Sequence, residues 1–140
     1  MEIRRVATLI LYDSQRRVLL QNREGISKSG EKWGFFGGGV EDGETPRQAL
    51  VKEIREELSY EVQQGDFLGV YEGVTGSGVH LTNYVYIAKE SIFACFRQRE
   101  GNGMRYFPIQ DTVELNMNGL DHDVLENAAI YIQKQREEQN

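Results

Sequence analysis

A mixed β-sheet covered by helices on two faces is the fold class the sequence predicts, and two observations carry it. The predicted elements run strands, one helix, more strands, one helix, an order that suits such a layered arrangement. Each helical segment also carries its apolar residues on one side only, with Leu50, Ile54 and Leu58 beside Val51 in the first, and Val124, Leu125, Ala128, Ala129 and Ile132 in the second. Each helix therefore has a single face to bury against the sheet.

The elements follow in order. Val6 to Tyr12 is a β-branched and aromatic run bounded by Asp13-Ser14, and Arg17 to Asn22 resumes an extended pattern, so the pair reads as a hairpin. Residues 24–32, EGISKSGEK, form a polar loop. Trp33 to Phe36 reads as a short aromatic strand ending at Gly37-Gly38-Gly39, where the absence of side chains lets backbone approach something closely. Thr45 as N-cap, Pro46 at the first helical position and Gln48 three residues after the cap predict the helix start as a capping box. Phe67 to Val74 and Val79 to Ile87 read as long strands joined by a Gly-Ser-Gly turn, with shorter strands at Ile92 to Phe96 and Met104 to Phe107. Asp121 is expected to cap the last helix.

Composition narrows the function classes. The 140 residues fit one domain, residues 1–140, with 39% hydrophobic and 10% aromatic content typical of a globular chain. No apolar run exceeds a few residues, Leu9-Ile10-Leu11-Tyr12 being typical, against the ~20 needed to span a bilayer. No secretory pattern is visible and Cys95 has no partner for a disulfide, so a cytoplasmic location is expected, with Cys95 packed between Phe93 and Phe96 as a small hydrophobe. A net charge of -6 argues against nonspecific duplex binding. It leaves room for a small anion bridged by metal, and residues 1–35 carry seven basic side chains against four acidic ones.

The first helix gathers Glu53, Glu56 and Glu57 within about a 100° arc, near the end where exposed carbonyls disfavour acid. Like charges three and four residues apart repel by roughly 0.2–0.5 kcal/mol per pair. Within the helix only Lys52, four residues before Glu56, is placed to relieve them. A solvated acidic face is the simple reading of such a run. The glycine run and acidic turn just before the helix favour another: clustered carboxylates ionise together when a cation neutralises them. Mg2+ suits a few carboxylates plus substrate phosphate oxygens, while zinc would want the His or Cys that this stretch lacks.

"GGGVEDGETPRQALVKEIREELSY", residues 37–60, resembles the signature of the Nudix hydrolases: Gly, five residues, Glu, seven residues, Arg-Glu, an aliphatic residue, any residue, Glu-Glu, any residue, Gly and an aliphatic residue. Gly38, Glu44, Glu53, Ile54, Glu56 and Glu57 match at that spacing. The order of the surrounding elements is similar to the family's α/β/α sandwich. Two positions depart. Lys52 stands in place of Arg, offering a point charge instead of a planar fork. Ser59 and Tyr60 replace Gly and an aliphatic residue, so the helix is expected to end differently, a left-handed end costing Ser up to about 1 kcal/mol relative to Gly.

The resemblance implies hydrolysis of a nucleoside diphosphate linked to another group, with Mg2+ (or Mn2+) and attack of water on phosphorus. It assigns Glu53, Glu56 and Glu57 to metal and catalysis, with a Gly37 or Gly38 carbonyl as an added ligand, and leaves Glu44 to brace the loop. Glu100, in the glycine-flanked "RQREGNGMRYF", is a second candidate base. Arg23, Gly38 and Gly39 are candidates for substrate contact. His80 and His122 are isolated and read as structural; Trp33, Phe35, Tyr84, Tyr86 and Phe93 read as core aromatics before base-stacking ones. A nucleotide sensor without activity and an RNA 5'-pyrophosphohydrolase are the competing readings; the intact glutamates oppose the first, and the lack of an extended basic track opposes the second. The partner expected is a small nucleotide, with no membrane and no nucleic acid, and sheet edges permit a homodimer.

Overall fold

The computed structural model of the protein describes residues 2–27, 30–62, 65–90 and 103–138. Its seven strands are β1 (Ile3–Tyr12), β2 (Arg17–Asn22), β3 (Trp33–Gly34), β4 (Phe36–Gly39), β5 (Asp66–Val74), β6 (His80–Lys89) and β7 (Met104–Pro108). Two helices, α1 (Pro46–Leu58) and α2 (Gly119–Glu138), flank them, with a short 3-10 turn at Ile109–Glu114.

β1 is the spine. It pairs in parallel with β6 along its whole length, Ile3 opposite His80 and Tyr12 opposite Lys89. Its other edge is shared, by β2 at Tyr12 opposite Val18 and by β4 from Val6 to Leu9. β5 extends the sheet beyond β6 as an antiparallel strand, and β7 lies along the far edge of β2. The sheet is thus mixed, as expected from the element order.

Alternation along β1 builds two cores from one strand, because successive side chains of a strand point to opposite faces. Leu9 and Leu11 join Ala49, Leu50, Ile54 and Leu58 of α1 in one buried cluster. Ile10 and Tyr12 join Val124, Leu125, Ala128 and Ile132 of α2 in the other. Leu9, Ile10 and Leu11 are each at most 1% exposed, which is why the run reads as continuously apolar. Ala129 is half-buried beside the α2 stripe.

Three expectations about elements change. The aromatic strand does not stop at the glycines: Trp33-Gly34 pairs with β2, the chain crosses at Phe35, and Phe36 to Gly39 pairs with β1. The glycine run is therefore itself a strand, half-buried, in which a Cβ at Gly37 or Gly38 would meet a neighbouring atom at 2.1 or 2.5 Å. Asp121 is not the cap of α2. The helix begins at Gly119, and Asn118 Oδ1 accepts the Leu120 N–H at 3.1 Å. Ser59 ends α1 as a glycine would, in the left-handed region at φ 53° and ψ 36°, its N–H donating to the Arg55 carbonyl. The left-handed region is one that a Cβ disfavours, and Ser59 adopts it directly after the fully buried Leu58. The strand expected at Ile92 to Phe96, with Phe93 and Cys95, lies outside the described residues, as does Glu100.

Candidate functional site

The α1 start is locally determined. Gln48 N–H donates to Thr45 Oγ1 at 3.1 Å while Thr45 N–H donates to Gln48 Oε1 at 2.9 Å, the reciprocal capping box, with Pro46 in the first turn. From that fixed start the 100° step per residue carries the three glutamates across one edge of the buried stripe. Their environments are graded: Glu57 is buried at 6% exposure, Glu53 is half-buried and Glu56 is exposed.

The glycine strand is what they face. Gly37 N–H donates to Glu57 Oε2 at 3.3 Å. A Cβ on Gly38 would lie 2.5 Å from Glu53 Cδ and 2.6 Å from its Oε2, so the carboxyl of Glu53 rests on bare backbone. Gly37 has φ +148°, and a Cβ there would lie 2.1 Å from the Ala7 carbonyl oxygen across the β1–β4 ladder. Gly39 is less constrained, its nearest neighbour being the Arg5 carbonyl oxygen at 4.0 Å. The structure therefore brings Gly37, Gly38, Glu53 and Glu57 together and leaves Glu56 at the rim.

Lys52 does not relieve Glu56. Its ammonium lies 3.1 Å from Glu44 Oε2 and 3.6 Å from Glu41 Oε2, across the turn that precedes the helix. Glu44 in turn accepts the Glu41 N–H at 2.9 Å, and this backbone hydrogen bond, followed by Lys52, holds its carboxyl below the usual range. The Glu44 hydrogen bond raises the Lys52 pKa correspondingly. Glu44 and Lys52 thus clamp the loop 41–44 to the helix, the bracing expected of Glu44.

A cavity of about 280 Å³ opens beside Gly37 and Gly38 and runs to the first turn of α2. Arg23, Glu31, Phe35, Asn83, Asn118 and Asp121 line it. Arg23 crosses the open face of Gly34, with Nε 3.6 Å from Glu31 Oε1 and a guanidinium N–H donating to Gln21 Oε1 at 3.4 Å. Asn83, buried in β6, accepts from Thr8 Oγ1 at 2.8 Å. Burial first, and then the nearby charge of Glu31, push the Asp121 carboxyl from 3.8 up to about 7, with Arg23 acting in the opposite sense. A second cavity of about 480 Å³ adjoins through Glu31 and Asn118.

Of the residues lining the cavity, Arg23 and Gly38 are the two expected as substrate contacts. Asn83 was visible in principle, since an amide in the middle of "HLTNYVYIAK" breaks an otherwise β-forming run. Glu31 sat in a polar loop and Asp121 looked like a cap, so neither carried a signal. Phe35, expected as core, is both core and cavity wall, while Trp33 packs edge-on against Phe107 at 4.8 Å. Tyr84 and Tyr86 are half-buried beside the α1 core, His80 is exposed at the start of β6, and His122 lies in the first turns of α2.

The pattern of the NUDIX domain family matches residues 2–127. Over 77 residues the chain is 40% identical to the CTP pyrophosphohydrolase of Escherichia coli (strain K12), a stretch covering 54% of this chain and 56% of that protein. Over 59 residues it is 39% identical to the 8-oxo-dGTP diphosphatase of Proteus vulgaris, covering 42% of this chain and 53% of that protein. These matches span about half the length of the curated relatives. The solution structure of the E. coli ORF135 protein superposes with a TM-score of 0.76 at 25% identity, covering 93% of this chain and 91% of that one.

Proposed function

The chain belongs to the NUDIX domain family, and on that premise we propose that it is a Mg2+-dependent pyrophosphohydrolase acting on a nucleoside diphosphate linked to another group. The observation that carries this reading is the seating of Glu53 and Glu57 against Gly38 and Gly37, two glycines that also line the cavity. The names of the two relatives make nucleoside triphosphates the first substrates to try.

The donor chemistry fits a hard divalent cation. Glutamate oxygens and strand carbonyls are the ligands on offer, and the Cβ-sized gap at Gly38 keeps the Glu53 carboxyl against the backbone. Among the described residues no three acidic, His or Cys side chains converge on one point. Glu53, Glu56 and Glu57, with Gly37 or Gly38, would therefore hold Mg2+ together with phosphate oxygens and water. When bound, the ion supplies charge neutralisation for the phosphates and acidifies the attacking water.

The chain's own residues do the rest. Gly37 N–H donates to Glu57 and orients its carboxylate beside the glycine strand. Glu56, exposed at the rim, has room to accept the proton of the attacking water, and Glu100 is the second candidate for that step. A new P–O bond to water forms as a bridging P–O bond breaks, and the nucleoside monophosphate leaves from the cavity.

31P NMR of products from a nucleotide panel, with and without Mg2+, tests the reaction. Glu57→Gln preserves the acceptor for Gly37 but removes the charge, so Mg2+ affinity and turnover should fall by about 10²-fold or more while the unfolding midpoint stays close to wild type. Unchanged Mg2+-dependent turnover in that variant would remove Glu57 from the metal set.

A further inference from the structure

At the end of β1 away from the glycine strand, a recess of about 240 Å³ lies between the β1–β2 turn, the last residue of β6 and the C-terminal turns of α2. Tyr12, which lines it, is five residues (12 minus 7) and so about 17 Å along β1 from Ala7, the partner of Gly38. Three cations border the recess: Arg16 from the turn, Lys89 from β6 and Arg136 from α2. None of them forms an ion pair among the described residues. Asp13, the acid of the lining, is committed elsewhere, accepting from the Gln15 and Arg17 N–H groups at 3.0 and 2.9 Å and from Arg17 Nε at 2.8 Å. In a chain of net charge -6 this is a local excess of positive charge.

Arg16 also occupies a place that suits glycine. Its N–H donates to the Asp13 carbonyl at 3.0 Å and the Asp13 N–H donates to the Arg17 carbonyl at 3.0 Å, closing a hairpin turn whose last residue is left-handed, at φ 59°. Glycine reaches that region without a Cβ penalty, and strain kept at one position is a pointer to function. The guanidinium donates to Gln133 Oε1 at 3.0 Å, which ties it to α2 at the recess. We propose that the recess binds a phosphate-type oxyanion, held by Arg16, Lys89 and Arg136. Like charges gathered around one recess repel, and a bound anion removes that cost. Guanidinium forks match the paired oxygens of a phosphate group, and Lys89 adds a point charge. Three cations complement the multiple charge of phosphate or diphosphate, whereas a monocarboxylate would neutralise one of them. Ser14 adds a hydroxyl donor to the lining.

Calorimetric titration of the full chain with pyrophosphate tests the site, in EDTA so that no divalent cation bridges the anion to the glutamates of α1. One equivalent should bind, more weakly as salt is raised. Arg16→Gly separates binding from folding: affinity should fall about tenfold or more as charge-assisted hydrogen bonds are lost, while the urea midpoint in phosphate-free buffer rises because the left-handed residue is then glycine. Lys89→Ala should weaken binding similarly and leave the midpoint unchanged. Inorganic phosphate and AMP, titrated in parallel, distinguish the sources: binding of phosphate and pyrophosphate without AMP assigns the free ion, and AMP binding that Arg16→Gly weakens assigns the phosphate of a nucleotide. No pyrophosphate binding by the wild type, or equal affinity in the wild type, Arg16→Gly and Lys89→Ala, overturns the site and leaves the hydrolase reading untouched. A lower midpoint for Arg16→Gly with unchanged affinity would make Arg16 a tether for α2 and overturn the site equally.

Discussion

Three adjacent glycines make a graded test of how the carboxylates are seated. An added methyl at Gly37 would meet the Ala7 carbonyl oxygen at 2.1 Å and Thr8 Cα at 2.7 Å, both backbone atoms locked in the β1–β4 ladder, and φ +148° is itself disfavoured for alanine. Neither obstacle can rotate away, so Gly37→Ala should lose about 3 kcal/mol or more, combining overpacking with backbone strain. At Gly38 the obstacle is the end of a flexible side chain: the methyl would lie 2.5 Å from Glu53 Cδ, whereas carbon atoms at rest sit about 3.5–4.0 Å apart. The Glu53 carboxyl must retreat by roughly 1 Å, a misplacement that can cost about 10²-fold in rate, while stability changes by less than ~1 kcal/mol. Gly39→Ala, with nothing nearer than 4.0 Å, should change neither strongly. Urea unfolding and kcat/KM on the three variants separate the effects. If Gly38→Ala retained wild-type activity, or lost stability as Gly37→Ala does, the seating of Glu53 on the glycine strand would not be what positions it.

Ser59→Gly should stabilise the fold by about 0.5–1 kcal/mol, read as a higher urea midpoint, because glycine reaches the left-handed helix end without the Cβ penalty. Asp121 binds a proton in the folded state that the unfolded chain, at 3.8, has already released, so stability is lost as pH rises from about 4 through about 7. Roughly three units at ~1.36 kcal/mol each cap the loss near 4 kcal/mol, and water reaching the side chain lowers it. Asp121→Asn should therefore gain stability over wild type between pH 5 and pH 8, and parallel stability curves would refute the raised pKa. Lys52→Met should move the NMR-monitored titration of Glu44 upward but leave it below the ordinary value, since the larger cause, the Glu41 N–H, remains.

Local signals were the legible ones. Thr45, Pro46 and Gln48 determine where α1 begins through bonds within four residues, and the structure has each of them. The same is true of the one-sided stripes on the helices, which follow from a period of 3.6. The glycine run was legible as a place of close approach, but not as a strand, because a residue without a side chain shows no periodicity. Lys52 was misassigned for a related reason: helical spacing put Glu56 within its reach, and the folded-back turn offered Glu44 and Glu41 closer.

From sequence alone came the family resemblance, the helix with its three glutamates, and the glycines beside them, all contained in one stretch of 24 residues whose spacing encodes its own geometry. The tertiary structure decided which glutamate is buried and which exposed, and that the Gly37 N–H donates to Glu57. It also assembled the cavity end from Arg23, Glu31 and Asp121, residues up to 98 positions apart (121 minus 23) with no shared pattern. Side chains brought together by sheet closure leave no periodic trace, so the glutamate-bearing helix could be read in one dimension, while the lining of the cavity could be read only in three.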